Sequence, residues 1–139
     1  MSEKKRQWTD CLSSRGGRLY IEECDTVDLA KKFGSPLFVI SEKQLRENVR
    51  EFQRAFQKHW PHGRVEVLPA FKANWNLATR TILSEEGAGA DIYSRGELEG
   101  ALMGGTAPQR ISVNGGGKSE ETIRRCIETG VLITVEDLD

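Results

Sequence analysis

"VLPAFKANWN", residues 67–76, ends an apolar run on a single lysine, Lys72, and then turns at once to small and polar residues. With the preceding "RVE" it reads as a β run in which Glu66, Leu68, Ala70 and Lys72 alternate with Val65, Val67, Pro69 and Phe71. Three more β-prone runs follow, "GADIY", "RISVN" and "VLITVE", so that the four begin at residues 64, 89, 110 and 131. Between them lie "NLATRTILSEEG", "RGELEGALMGG" and "SEETIRRCIETG", each helical in period and closed by glycine. Strand, helix and strand at this spacing form the repeat of a parallel sheet, either doubly wound or closed into a barrel. Lys72 then falls at the C-terminal end of a strand, where barrels carry their chemistry, and small Ala70 beneath it leaves space.

Upstream, residues 1–17 read as a polar, mobile start and residues 18–41 as a short strand and helix segment. "RLYIEE" is the strand, and Asp25 caps a helix through "TVDLAKKF" that stops at Gly34. "PLFVI" reads as a further strand. Ser41 stands three residues before Gln44, a capping-box spacing, ahead of a long helix with Leu45, Val49, Phe52 and Phe56 on one face and "HWPHG" at its end. Residues 42–139 make up the β/α part. Pro69 removes a ladder donor from its first strand, which predicts local irregularity there.

Composition excludes several classes of function. The 139 residues hold 20 Lys plus Arg against 21 Asp plus Glu, and a net charge of -1 offers nothing to nucleic acid or to an anionic membrane. No apolar run approaches the roughly 18 residues of a membrane span. Cys11, Cys24 and Cys126 are odd in number and form no CxxC pair, so a reduced cytosolic compartment is expected, with neither disulfides nor zinc. His59 and His62 have an i, i+3 spacing, but Pro61 breaks the helix that a metal pair would need. "VNGGGKSEE" fails the Walker pattern because Ser112 stands where its first glycine belongs. "GAGADI" fails the dinucleotide fingerprint at Ile92 and precedes a strand instead of following one.

A lysine at one strand end, with Asp91 on the next strand and Glu97 six residues on, forms a candidate proton-handling cluster. The alternative for both carboxylates is helix-start chemistry, since acids near a helix N-terminus favour its dipole. "GSPLFVIS", "LPAFKANWN", "GAGADIYSRGELEGAL", "RISVNGGGKSEETI" and "VEDLD" together resemble the N-terminal half of the pyridoxal-phosphate-dependent amino-acid decarboxylases of the alanine-racemase-like (fold type III) barrel, most of all the diaminopimelate decarboxylases. The resemblance implies an α/β fold, a partial (β/α)8 TIM-type barrel of about four βα units out of eight.

The same resemblance implies that Lys72 forms the Schiff base with pyridoxal phosphate, and that burial makes its amine nucleophilic. It places Asp91 and Glu97 nearby in a D-x-x-S-x-x-E segment that includes Ser94, and it has Gly115, Gly116 and Lys118 lining the site. For the last three, a flexible turn with a solvated lysine is the alternative. The implied substrate is a small L- or meso-configured amino acid, and the implied full-length form is a homodimer. A racemase is disfavoured, because "KAN" continues here as Trp75, Asn76 and Leu77 and not as "AYGHG". In the family the phosphate-binding loops and the acidic partner of the pyridine nitrogen come later in the chain. The 139 residues are therefore expected to be a fragment inactive alone, or else a binding-only remnant.

Overall fold

The computed structural model describes residues 9–60 and 62–137. Pro61 and the ends of the chain, with the start of the stretch expected to be mobile, lie outside the described residues. Two compact units divide the chain, residues 1–45 and 46–139.

In the first unit, β1 (Leu12–Arg15), β2 (Arg18–Ile21) and β3 (Cys24–Asp25) form an antiparallel sheet in that order. Gly16 and Gly17, both at positive φ, close the β1–β2 hairpin between the paired Arg15 and Arg18. Two consecutive positive-φ residues give the turn whose twist matches its strands. Part of the stretch expected to be mobile is thus a paired strand. Asp25 caps α1 (Thr26–Phe33) by accepting from the N–H groups of Val27 and Asp28, and Gly34 ends the helix at φ +88. Residues 36–40, "PLFVI", are not a strand as expected; all five are exposed and carry no ladder. An apolar run becomes a strand only when a neighbour satisfies its backbone.

Ser41 caps α2 (Glu42–His59) by accepting from the Gln44 N–H at 3.0 Å. Of the apolar stripe on this helix only Val49 is buried, while Phe52 and Phe56 are about half exposed, at 60% and 48%. The 3.6-residue period fixes their common face but does not cover it.

In the second unit, α3 (Leu77–Glu85), β4 (Ala90–Ile92), α4 (Arg95–Met103), β5 (Ile111–Val113), α5 (Glu120–Thr129) and β6 (Leu132–Ile133) alternate. The strands run parallel in the order β4-β5-β6. Residues 64–70 lie alongside β4, joined by one bridge between Ala70 and Asp91 and by the bonds Gly89 N–H to Val67 O (2.9 Å) and Asp91 N–H to Pro69 O (3.3 Å). Pro69 has no N–H to return, and this run is the irregular one, as expected.

Ala90, Ile92, Ile111 and Val113 are fully buried with Leu98 and Ala101 of α4 and Cys126 of α5. Consecutive crossover helices therefore cover the same face of the sheet. That layering is common to the wall of a (β/α)8 barrel and to one half of a doubly wound sheet. Phe71 joins this core over Gly100, where a Cβ would stand 2.6 Å from the ring. A helix can come this close to the sheet only at a glycine.

Candidate active site at the strand rim

The register of the sheet builds the site. Ala70 bridges Asp91, Asp91 pairs with Ser112, and Ser112 pairs with Leu132. Two residues further on, at the C-terminal ends of the four runs, stand Lys72, Tyr93, Asn114 and Thr134. The ladder continues to this level through Asn114 N–H to Ile92 O (2.8 Å) and Thr134 N–H to Val113 O (2.9 Å). Since successive strand residues point to opposite faces, these residues and the level below lie on the face opposite the buried core. Lys72 itself sits in a 3-10 turn, Phe71–Ala73, that ends the first run, with Phe71 anchored in the core.

Lys72 is exposed, so the burial expected to activate its amine is absent. Among the described residues it makes no ion pair. Its Nζ rests 4.2 Å from the centroid of the Tyr93 ring, a cation–π distance. Asp91 is half-buried and accepts from the Asn114 side-chain amide, which also donates to Ser112 Oγ at 3.3 Å. The Thr134 hydroxyl donates to Asn114 Oδ1. Asn114 is thereby oriented by three side chains, in a polar row running across the sheet.

Glu97 and Ser94 take the helix-start alternative. Ser94 caps α4 by accepting from the Glu97 N–H at 3.3 Å, and the buried Glu97 carboxylate accepts from the Tyr93 N–H at 2.6 Å. The pair is a capping box displaced by one residue. It holds the backbone of Tyr93 and so bears on the rim. Gly115 adopts φ +84 against the Tyr93 ring, while Gly116 has open space around it. Lys118 is not the solvated lysine of the flexible-turn alternative. Its ammonium donates to the carbonyls of Gly115 and Thr134 and to Glu136, and its side chain is only 10% exposed. The hydrogen bond and charge of Lys118 hold the Glu136 carboxyl below its ordinary range.

Tyr93, Asn114 and Thr134 are the residues sequence reasoning missed. The signal was available: each stands two positions beyond a paired strand residue, but only the register shows which strand ends share a level. The chemistry on this face fits a pyridoxal group: an amine with no ion pair among the described residues at an open rim, an aromatic surface beside it, and a carboxylate with oriented amide and hydroxyl partners. Among the described residues no cluster of His, Cys, Asp and Glu could hold a metal, and no helix is long and apolar enough to cross a membrane.

Comparison with known proteins agrees with this geometry. The chain is 42% identical to the diaminopimelate decarboxylase of Methanothermobacter thermautotrophicus over 120 residues, which cover 86% of this chain and 28% of that protein. The crystal structure of diaminopimelate decarboxylase from M. jannaschii superposes with a TM-score of 0.87 at 37% identity, covering 91% of this chain and 30% of the other. A second structure of that enzyme, in co-complex with L-lysine, gives a TM-score of 0.86 at 36% identity. The chain thus spans less than a third of the relatives it matches. Residues 42–139 match the family described as pyridoxal-dependent decarboxylase, pyridoxal binding domain. The chain belongs to the pyridoxal-dependent decarboxylases and carries their pyridoxal binding domain over these residues.

Proposed function

We propose that this segment is the lysine-bearing part of a pyridoxal-phosphate-dependent decarboxylase acting on meso-diaminopimelate, with Lys72 as the residue that bonds the cofactor. The observation that carries the reading is the placement of Lys72. Its amine stands at the C-terminal rim of parallel strands, on the open face, without an ion pair among the described residues, in a domain of a pyridoxal-binding family. When bound, pyridoxal phosphate supplies a conjugated ring that takes up the electron pair left as the substrate carboxylate departs as carbon dioxide.

The protein's own residues orient groups and move protons. Lys72 would supply the nitrogen that holds the cofactor. Asp91, held by Asn114, is the acid–base group of the rim, and Thr134 fixes the amide that holds it. Glu97 and Ser94 act at one remove, keeping the Tyr93 backbone in register, and Gly115 and Gly116 leave the rim open on the β5 side. The substrate follows from the relatives named diaminopimelate decarboxylase and from the L-lysine held by the M. jannaschii enzyme, since L-lysine is diaminopimelate less one carboxylate. We place the protein in a reducing, cytoplasmic setting, consistent with its free cysteines, and as a homodimer in its full-length form.

The test is a chimera in which residues 18–139 replace the matched segment of the M. thermautotrophicus relative. It should release carbon dioxide from meso-diaminopimelate. Lys72→Ala and Lys72→Arg should both abolish release, because a guanidinium stays protonated and cannot bond the aldehyde. A folded chimera in which Lys72→Arg keeps its turnover sinks the proposal.

A further inference from the structure

We propose that Tyr93 is a positioning residue for Lys72, its ring serving as the seat that holds the resting ammonium at the strand rim, and that Gly115 is the opening that admits this ring. Lys72 is a long, exposed side chain, and its nitrogen rests on one aromatic face, 4.2 Å from the centroid. That ring is fixed from three directions. Its backbone continues β4, its N–H is held by the buried Glu97 carboxylate, and its edge lies against Gly115. A Cβ at Gly115 would stand 2.8 Å from Tyr93 Cδ1, and the φ of +84 there is one that L side chains rarely adopt. Tyr93 remains 43% exposed, so its other face belongs to the open side of the sheet. The ring face holds the nitrogen as an ammonium, which must lose its proton before it can bond an aldehyde.

This inference rests on reading Lys72 as the cofactor's lysine, and the experiment separates the two. The 139-residue chain is treated with pyridoxal phosphate and then borohydride, which leaves a stable secondary amine on each lysine that bonded the aldehyde. Peptide mass spectrometry gives the ratio of label on Lys72 to label on exposed Lys31 and Lys58, and NMR of the untreated chain gives the ring-current shift of the Lys72 ε-methylene. Tyr93→Leu should raise the labelling ratio by about 2- to 5-fold, because an exposed cation–π contact favours the ammonium by that factor and only the free amine attacks an aldehyde, and it should abolish the ring-current shift. Tyr93→Phe, which keeps the ring face, should restore both. An unchanged ratio in a folded Tyr93→Leu chain overturns the role of Tyr93 and leaves Lys72 in place. A chimera with residues 18–139 in which borohydride fixes pyridoxal to a lysine other than Lys72 overturns the reading on which the inference rests, whatever the Tyr93 result.

Discussion

Glu97→Ala separates a helix-start carboxylate from one that acts on the chemistry directly. The side chain is 2% exposed, and its Oε2 accepts the Tyr93 N–H at 2.6 Å. Truncation removes that bond and leaves a donor without its acceptor, whereas the cap from Ser94 to the Glu97 N–H survives because its donor is backbone. A hydrogen bond to a charged group contributes about 1.5–3 kcal/mol, so Glu97→Ala should destabilise the second unit by about 2–3 kcal/mol. Glu97→Gln keeps a neutral acceptor and should lose about half as much, since charge-assisted bonds are roughly twice as strong. For a unit of this size each kcal/mol is worth about 4–8 °C in Tm. Urea melts of parent, Gln and Ala chains followed by far-UV circular dichroism give the three stabilities, with an unchanged m-value as the check on two-state behaviour. If the Ala chain melts within about 0.5 kcal/mol of the parent, the ordinary range for a surface change, the structural assignment of Glu97 is refuted.

Asp91→Asn in the chimera should cut decarboxylation by about 10²- to 10⁴-fold, the range of a positioned acid–base group, while pyridoxal still attaches to Lys72; loss of attachment instead would assign Asp91 to cofactor binding. Ile92→Ala, at a position with no exposed surface, should destabilise the second unit by about 2–5 kcal/mol in a urea melt. Hydrogen bonds from Arg50 and then Arg46 hold the Glu86 carboxyl below its ordinary value of 4.5. A depressed folded value contributes stability that is present above 4.5 and is lost as pH falls through the folded value. Glu86→Gln should therefore lower the urea midpoint at neutral pH and flatten its decline below that value, and parallel acid limbs for the two chains would count against the cluster.

The parallel repeat was legible because period, glycine stops and polar caps are local signals, and Asp25 and Ser41 cap helices in the structure as expected. Lys72 was legible for a related reason: a lone amine closing an apolar run violates the pattern around it. Pro69 announced the irregular run, since a missing N–H is a property of one residue. What stayed hidden depends on partners. "PLFVI" has the composition of a strand, yet residues 36–40 carry no ladder, because composition does not supply a neighbour. The Phe52 and Phe56 stripe has helical period, but burial depends on what packs against it. Tyr93 under Lys72, and Asn114 between Asp91 and Thr134, follow from a register that couples residues about 20 positions apart. Lys118 looked like a solvated loop lysine until its three acceptors were in place around it.

The central claim is that one amine of this chain, that of Lys72, bonds pyridoxal phosphate. The most direct measurement is made on the chimera holding residues 18–139, loaded with pyridoxal phosphate, reduced with borohydride, digested and mapped by tandem mass spectrometry. The account predicts a pyridoxyl group on Lys72 at close to one per chain, lost in Lys72→Ala, with Lys118 unlabelled because its ammonium is tied to Glu136 and two carbonyls. A pyridoxyl group on Lys118 or any other lysine of the segment, with Lys72 unmodified, contradicts it.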